Sequence, residues 1–393
     1  MFSSRLPAAL APNAISRAVS ALRAANVPLL DLTETNPTMV DLAYPAGVLD
    51  ALAAPAAMSY APESLGLGLA REPVAQEYHR AGHRVTADQV VITASTSEAY
   101  TLLFKLLCDP GDDVLVPQPS YPLFESLTRL DAVAVRPYRL EYHGAWSIDR
   151  ESVTRAFTAR TRALLIVSPN NPTGSMLRRD DREWLVDQCA RRGVAIISDE
   201  VFADYPLRPG RDAVSMSGDS RALTFVLGGL SKSAGLPQVK LGWMIVNGPA
   251  ADAAAAIERL DVICDTYLSV STPVQVAAPA LLAAGRGIRA SILQRITTNL
   301  ATLNRLVGAD SPASVLQPEG GWSVALRVPA TQAEEAMVLR LLAEARTVVH
   351  PGFFFDFADE AFLVVSLLPR VSVFEEAVRR MLPIIAAAGA AGE

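Results

Sequence analysis

Several residue types that would define a function are scarce in this 393-residue chain. Three widely spaced cysteines indicate neither a disulfide framework nor a structural zinc site. The four histidines form no HExxH arrangement, and we expect no metal. The net charge of −6 disfavours a general affinity for nucleic acid or for an anionic membrane. No uninterrupted apolar run reaches the roughly 18 residues that span a membrane, and the N-terminus does not resemble a signal peptide. The sequence therefore predicts a soluble, cytoplasmic protein without a membrane partner.

Lysine is the scarcest basic residue, since only three of the 35 Lys and Arg residues are lysines. Two of them, Lys232 and Lys240, lie in the segment GGLSKSAGLPQVKLGW (228–243). Arginine serves equally well for solvation and surface ion pairs, so a retained lysine indicates a task that needs an amine. The clearest such task is a Schiff base, because a guanidinium stays protonated and cannot become the nucleophile. Composition alone therefore predicts Lys232 as a candidate nucleophile.

Apolar β-rich runs alternate with helical patterns through the middle of the chain. The predicted strands lie at 89–93, 112–117, 132–140, 162–169, 194–200, 222–229 and 239–246. Fully apolar strands separated by helices predict an α/β fold with a mostly parallel sheet flanked by helices. After about residue 275 a long helical pattern (287–307) and further short elements are typical of a smaller α+β domain. We expect an N-terminal arm with part of the small domain at 1–45, a large domain at 46–275 and a C-terminal small domain at 276–393.

Polar clusters follow four of the predicted strands. They are Ser95-Thr96-Ser97, Asn170-Asn171, Asp199-Glu200 and Ser231-Lys232. Ligands of parallel sheets bind beyond the carboxyl ends of the strands. The four clusters therefore predict one pocket at that edge.

The predicted pocket has the groups that a phosphorylated aldehyde cofactor needs. Asp199 could keep a ring nitrogen protonated, so that the ring acts as an electron sink, or could merely cap a turn. Residues 95–97 offer hydroxyls and free N–H groups to a phosphate at a helix N-terminus, and Lys240 could add a point charge. In isolation, TASTSEAY is better explained as an ordinary capping box, and only the constellation favours a phosphate site.

Three segments carry a resemblance to a known family. SPNNPTG (168–174), SDEVF (198–202) and GLSK (229–232) resemble, in order and spacing, segments of pyridoxal-phosphate enzymes of the aspartate aminotransferase superfamily. The resemblance extends from about Leu32 to Ala377 and implies fold type I with pyridoxal 5'-phosphate as cofactor. By position, it implies that Lys232 forms the Schiff base and moves the substrate proton, while Asp199 pairs with the pyridine nitrogen.

The resemblance also implies the remaining cofactor contacts. Asn171 matches the residue that binds the phenolic oxygen, and Tyr121 matches the aromatic residue stacked on the ring, although it could equally be core. The phosphate-binding turn is matched by Thr96 and Ser97, and we include the neighbouring strand-end residues Ser95, Ser231 and Lys240 in the cofactor-binding set. Tyr60 matches the tyrosine that reaches the phosphate in the neighbouring subunit, which implies a homodimer.

Two cofactor-binding positions depart from the superfamily pattern. Lys240 stands where an arginine usually binds the phosphate, which removes a bidentate contact. Phe202 stands where a tyrosine usually donates to the phenolic oxygen, and Tyr205 is a candidate replacement for that donor.

A third departure concerns the substrate. Aligning AFLVVSLLPRVSVFEEAV without a gap puts Val364 where the superfamily has the arginine that binds the α-carboxylate, and valine cannot replace it. Arg370 could serve only if its loop folds back. Thr35 and Asn36 could contribute polar contacts, or Asn36-Pro37 could form a simple turn.

The leading hypothesis is a homodimeric pyridoxal-phosphate-dependent aminotransferase that moves an amino group between an amino acid, or an amine, and a 2-oxo acid. The alternative keeps the cofactor but changes the reaction to that of a lyase, cyclase, decarboxylase or oxidase, because of Val364. A regulatory module without turnover is disfavoured, since the chain has no helix-turn-helix extension and no basic segment. A nicotinamide dehydrogenase is disfavoured because no GxGxxG follows an early strand.

Overall fold

The computed structural model describes residues 2–7, 10–208, 213–219, 221–268, 270–359 and 361–390. The helices in this part of the chain are α1 (Ala14–Ala24), α2 (Gly68–Arg80), α3 (Thr96–Leu107), α4 (Leu123–Leu130), α5 (Arg150–Ala156), α6 (Arg179–Arg192), α7 (Leu230–Ser233), α8 (Ala250–Tyr267), α9 (Thr272–Val307), α10 (Glu334–Arg340) and α11 (Val371–Ala390). The strands are β1 (Leu30–Asp31), β2 (Val90–Thr93), β3 (Asp113–Gln118), β4 (Ala134–Tyr142), β5 (Trp146–Ile148), β6 (Thr161–Val167), β7 (Ala195–Asp199), β8 (Thr224–Gly229), β9 (Gly242–Asn247), β10 (Ser314–Leu316), β11 (Ser323–Arg327), β12 (Thr347–Val348), β13 (His350–Pro351) and β14 (Phe362–Ser366).

Eight strands form the large sheet, in the order β2-β9-β8-β7-β6-β3-β4-β5. β2, β3, β4, β6, β7 and β8 share one direction, while β5 and β9 run against them. Every residue of β7 and β8 is buried, as expected for strands covered on both faces. The predicted α/β fold with a mostly parallel sheet is confirmed.

Alternate residues of the central strands feed two separate apolar cores. Ile196 and Val226 belong to the core that also contains Leu281 of α9, whereas Ile197 and Leu227 belong to the core that contains Leu103 of α3. This alternation follows from the twofold period of a strand. It means that Asp199 faces α3, on the side of Ile197.

A second, antiparallel sheet follows in the order β10-β11-β14-β13. The long helix predicted at 287–307 begins earlier, at Thr272, so the expected domain boundary at 275 falls inside α9. α9 contacts both α2 and α11, and it therefore links the two parts of the chain.

Within the described ranges, α9 is also the one helix that is long and apolar enough, by length and composition, to cross a membrane. Its apolar residues include a stripe at helical spacing, Leu281, Ile288, Ile292 and Ile296, which is buried. Such a one-sided apolar stripe is typical of a helix that packs on a protein core.

Candidate active site

The four predicted polar clusters lie at one edge of the large sheet. β2, β6, β7 and β8 are parallel, so their carboxyl ends point the same way. Two close contacts tie these ends together. The Tyr100 hydroxyl of α3 donates to Asp199 Oδ2 over 3.0 Å, and Gly242 approaches Ser95 so closely that a Cβ atom would lie 3.0 Å from the Ser95 carbonyl carbon.

Asp199 is the last residue of β7, and only 8% of it is exposed. Burial raises the pKa of its carboxyl to about 6, against the opposing effects of hydrogen bonds from the Val201 N–H and the Tyr100 hydroxyl and of the charge of Lys232. A carboxylate in this environment is stabilised by a cation at its free edge. Asp199 therefore suits a protonated ring nitrogen.

Glu200 points to the opposite face, and there it is saturated with hydrogen bonds from Ser198, Ser215 and the Met216 N–H. It lines a cavity of about 470 Å³ whose arginines pair with carboxylates, for example Arg289 with Asp204. The cavity therefore differs from the Asp199 side, where polar groups lack partners.

Lys232 lies on the one-turn helix α7, directly after β8. Its Nζ atom is 5.6 Å from the centroid of the Phe202 ring and 5.1 Å from that of Trp322. Burial lowers the pKa of the Lys232 amine, and the charge of Asp199 opposes that effect. A lowered pKa increases the share of the free, nucleophilic amine at neutral pH.

Tyr205 does not replace the donor that is missing at Phe202. Its hydroxyl donates to the backbone carbonyl of Lys232 over 2.5 Å, and its ring packs edge-on against Trp322 at 5.2 Å. This hydroxyl is therefore engaged with the protein backbone.

The first turn of α3 contains the capping arrangement that the sequence suggested. Ser95 Oγ accepts the Glu98 N–H, and the Glu98 carboxylate accepts the Ala94 N–H. Thr96 and Ser97 follow as the first helical residues, half-buried, where N–H groups have no partner within the helix. The cap thus orients a turn whose free N–H groups can bind an anion.

Asn171 has a buried polar atom that the protein itself leaves without a partner. Its Oδ1 atom is buried and has no hydrogen-bond partner, whereas Asn170 Oδ1 accepts from both the N–H and the hydroxyl of Thr173. Buried polar atoms without a partner are uncommon in proteins. Together with Lys232, Asp199 and the α3 N-terminus, this side chain, whose amide N–H could donate to a phenolic oxygen, fits pyridoxal phosphate.

The other predicted cofactor residues lie further out. Ser231 is half-buried in α7, and Lys240 is exposed and itself adopts a left-handed conformation with φ 61°. Tyr60 and Tyr121 are 73% and 45% exposed. In the described part of the chain, no hydrogen bond joins these four residues to Lys232 or Asp199.

The position that the resemblance assigns to the carboxylate-binding arginine is apolar. Val364 is 2% exposed in the middle of β14, between Ala325 of β11 and His350 of β13. Arg370 pairs with Asp41 at the half-exposed start of α11. The structure therefore directs Arg370 to a surface ion pair.

The two N-terminal candidates form local structure. Asn36 Oδ1 caps a short turn by accepting the Thr38 N–H, in agreement with the simple turn considered above. Thr35 directly precedes this cap.

Sequence reasoning missed Tyr100 and Trp322. Tyr100 follows Thr96 by one helical turn, but only the sheet order shows that it reaches Asp199. Trp322 is 1% exposed, and its Nε1 atom lacks a hydrogen-bond partner beside Lys232.

Among the described residues, no group of three or more His, Cys, Asp or Glu side chains could hold a metal ion.

A desolvated lysine and a buried carboxylate at the strand ends of such a sheet define a pyridoxal-phosphate enzyme of fold type I. The structure is similar to alanine aminotransferase from Pyrococcus furiosus, with a TM-score of 0.87 and 25% identity over 98% of this chain and 99% of the other. Residues 29–380 match the family model for aminotransferase class I and II, and the chain belongs to that family.

Relatives of known sequence agree with this assignment. Glutamate-pyruvate aminotransferase AlaA from Haemophilus influenzae is 28% identical over 337 residues, 83% of this chain and 82% of the relative. Alanine aminotransferase from Mycobacterium tuberculosis is 26% identical over 343 residues, 84% of this chain and 78% of the relative. The protein is a pyridoxal-phosphate-dependent aminotransferase, and these comparisons do not favour the alternative reactions of the fold.

Proposed function

We propose that this aminotransferase moves the amino group of a small monocarboxylic amino acid, such as alanine, to a 2-oxo acid. The observation that carries the chemistry is the presence, at one edge of the sheet, of a desolvated Lys232 amine and a buried Asp199 carboxylate whose charge acts on that amine, with Asn171 following the neighbouring strand. The two relatives above, whose names include alanine or pyruvate, support the substrate class. Among the described arginines, none has a hydrogen bond or ion pair to Lys232, Asp199 or Trp322 that would place it for a second carboxylate.

Bound pyridoxal phosphate supplies an electron sink for the bond that breaks at the substrate α-carbon. Lys232 would hold the cofactor, and its amine would remove and return the proton at that carbon. Asp199 would keep the proton on the ring nitrogen, and the Asn171 amide N–H would donate to the phenolic oxygen. The N-terminus of α3 with Ser95, Thr96 and Ser97 would hold the phosphate, with Ser231 and Lys240 as further candidates, and Tyr121 would cover the ring.

The substrate carboxylate must be bound without an arginine at position 364. That carboxylate is bonded to the α-carbon, so its oxygens lie within about 2.5 Å of the atom that Lys232 must reach. Trp322 is a close neighbour of this amine, since its ring centroid is 5.1 Å from Lys232 Nζ, and its buried N–H has no hydrogen-bond partner. We assign the Trp322 N–H as a donor to the carboxylate.

A cytoplasmic homodimer is part of this proposal. Tyr60 and Met58 are large, strongly exposed side chains in one short segment, 73% and 89% exposed. A partner subunit that covers this segment would bring Tyr60 to the phosphate of the other site. Sedimentation equilibrium tests this point, and a monomer at micromolar concentration would contradict it.

The decisive experiment is an absorbance spectrum of the purified holoenzyme during addition of L-alanine and, separately, of simple amines. Conversion to the pyridoxamine form with L-alanine, reversed by a 2-oxo acid, is the expected result. Borohydride reduction and peptide mass analysis should place the cofactor on Lys232, and Lys232→Ala should retain none covalently. A cofactor change without pyridoxamine formation would instead support a lyase or decarboxylase.

A further inference from the structure

The turn that carries Lys232 is held from outside by three side chains. Each donates a hydrogen bond to a backbone carbonyl of the turn: Tyr205 to Lys232 over 2.5 Å, Arg289 to Ser233 over 2.9 Å, and Tyr44 to Gly235 over 2.6 Å. These donors come from three distant parts of the chain, namely the segment after β7, helix α9 and the segment that precedes α2. We call them the carbonyl clamp.

The turn needs such support because it is short and contains little side-chain structure. α7 has four residues, too few for its last carbonyls to be satisfied within the helix. Gly228 and Gly229 precede it, and Gly235 follows it with φ 62°. Glycine backbone is conformationally permissive, so α7 by itself does not fix the position of Lys232.

Close packing of the turn on α9 supports the contacts made by Arg289 and Tyr44. A Cβ atom at Gly285 of α9 would lie 2.5 Å from the Cβ of Ala234, and one at Gly235 would lie 3.0 Å from Ile288. α9 is therefore seated directly on the turn. Arg289 follows Ile288 in α9, and this packing brings its side chain to the Ser233 carbonyl.

Members of the carbonyl clamp are also linked to one another. Arg289 binds Asp204 over 2.8 Å with the rest of its guanidinium, and Asp204 is the neighbour of Tyr205 in sequence. Tyr205 is fully buried, and its ring is fixed against Trp322. A displacement of Tyr205 would therefore be opposed by both Arg289 and Trp322.

We propose that Tyr205, Arg289 and Tyr44 are positioning residues that fix Lys232 for proton transfer at the substrate α-carbon. The inference rests on the role proposed above for Lys232. Proton transfer requires the reacting atoms to be held within a few tenths of an ångström, and a misplacement of about 1 Å costs on the order of 100-fold in rate. None of the three side chains needs to touch the substrate or the cofactor.

The test compares Tyr205→Phe with Tyr138→Phe, both prepared as holoenzymes. Tyr138 is a matched control, because its buried hydroxyl also donates to a backbone carbonyl, that of Leu165, over 2.8 Å and away from the lysine turn. One readout is the pH midpoint of the cofactor absorbance, which needs no substrate. The other is the single-turnover rate with saturating amino donor, together with the half-saturating donor concentration.

For Tyr205→Phe we expect a shifted midpoint and a single-turnover rate reduced by about 5- to 50-fold, with half-saturation unchanged within about twofold. Tyr138→Phe should leave all three values unchanged. Equal midpoints and rates for Tyr205→Phe and the wild type would overturn the proposal, as would an equal loss in Tyr138→Phe.

If Tyr205→Phe does not retain the cofactor, Tyr44→Phe makes the same test at Gly235, with an expected loss of about 2- to 5-fold. An unshifted midpoint and an unchanged rate in that variant would likewise overturn the proposal. Because the midpoint requires no donor, failure of the proposed substrate remains distinguishable from failure of the clamp.

Discussion

The two sides of Lys232 differ in charge. Toward the large sheet, Asp199 is buried with a hydrogen bond from Tyr100, and Asn171 presents an orphaned oxygen. On the other side, the Trp322 ring near Lys232 offers one N–H without a partner, and Val364 in the small sheet is uncharged. A buried carboxylate without a cationic partner is costly, so its presence indicates that a partner completes that side. The comparison teaches that this chain keeps the groups for cofactor chemistry on one side of Lys232 and has a valine, not an arginine, at position 364.

The largest expected effect comes from removing the charge on the cofactor side. Asp199→Asn should lower the single-turnover rate by roughly 1000-fold, because the ring nitrogen loses the group that keeps it protonated. Stopped-flow absorbance measures this rate. Ser217→Ala, at a buried residue whose backbone N–H donates to Ser215 and not to Asp199 or Lys232, is a control that should change it little. A loss below about tenfold for Asp199→Asn would show that another group protonates the ring.

Introducing an arginine at position 364, where the superfamily has one, should destabilise the protein. Val364→Arg would bury a guanidinium between Ala325 and His350, and an unpaired buried charge costs about 3–5 kcal/mol. Urea unfolding measures the loss, with Val364→Leu as the uncharged control of larger volume. A stable Val364→Arg enzyme with tenfold tighter donor binding would instead show that residue 364 reaches the substrate.

The buried carboxylate should also make the stability of the cofactor-free protein depend on pH. The pKa of Asp199 is raised to about 6 in the folded state, so the folded protein binds more protons than the unfolded chain between about pH 4 and pH 6. The free energy of unfolding should therefore fall as the pH rises through this window, by at most about 3 kcal/mol, and level off above it. Asp199→Asn should abolish this contribution. A slope that is identical in the two proteins would exclude Asp199 as its source.

The smallest effect is expected from removing the Trp322 N–H. Trp322→Phe keeps a ring against Phe202 and Tyr205 but removes this N–H. The loss of one hydrogen bond to the carboxylate should weaken binding of the amino-acid substrate by about 3- to 10-fold. The apparent dissociation constant from single-turnover kinetics measures this change. Arg370→Ala, which breaks only the surface pair with Asp41, is the control that should leave binding unaltered. Tighter binding by Trp322→Phe, or equal weakening in both variants, would contradict the assignment.

Much of the cofactor side could be predicted from local sequence. Asp199 could be predicted because it ends an apolar run, and Lys232 because it is a rare lysine that follows a strand ending in two glycines. The chemistry requires a carboxylate and an amine at such positions. Ser95 likewise followed from its capping pattern. Tyr100 could not be found in this way, because its contact with Asp199 depends on which strands are neighbours in the sheet.

Two other features were not predicted from the sequence, each for its own reason. The sequence placed the long helix at 287–307, whereas α9 starts at Thr272, because Pro279 and the small residues before it obscure the helical pattern. Tyr205 was considered as a donor to the cofactor, but packing against Trp322 directs its hydroxyl to the Lys232 carbonyl.

By itself, the sequence determined which chemical groups are present and where strands deliver them: an amine at Lys232, a carboxylate at Asp199 and no arginine at position 364. These are local properties, since each depends on residue type and on its place at the end of an apolar run. Only the tertiary structure decided which groups have partners and which are orphaned. The carbonyl clamp and the unpaired Trp322 N–H arise from contacts between segments far apart in the chain, and no local pattern records such contacts.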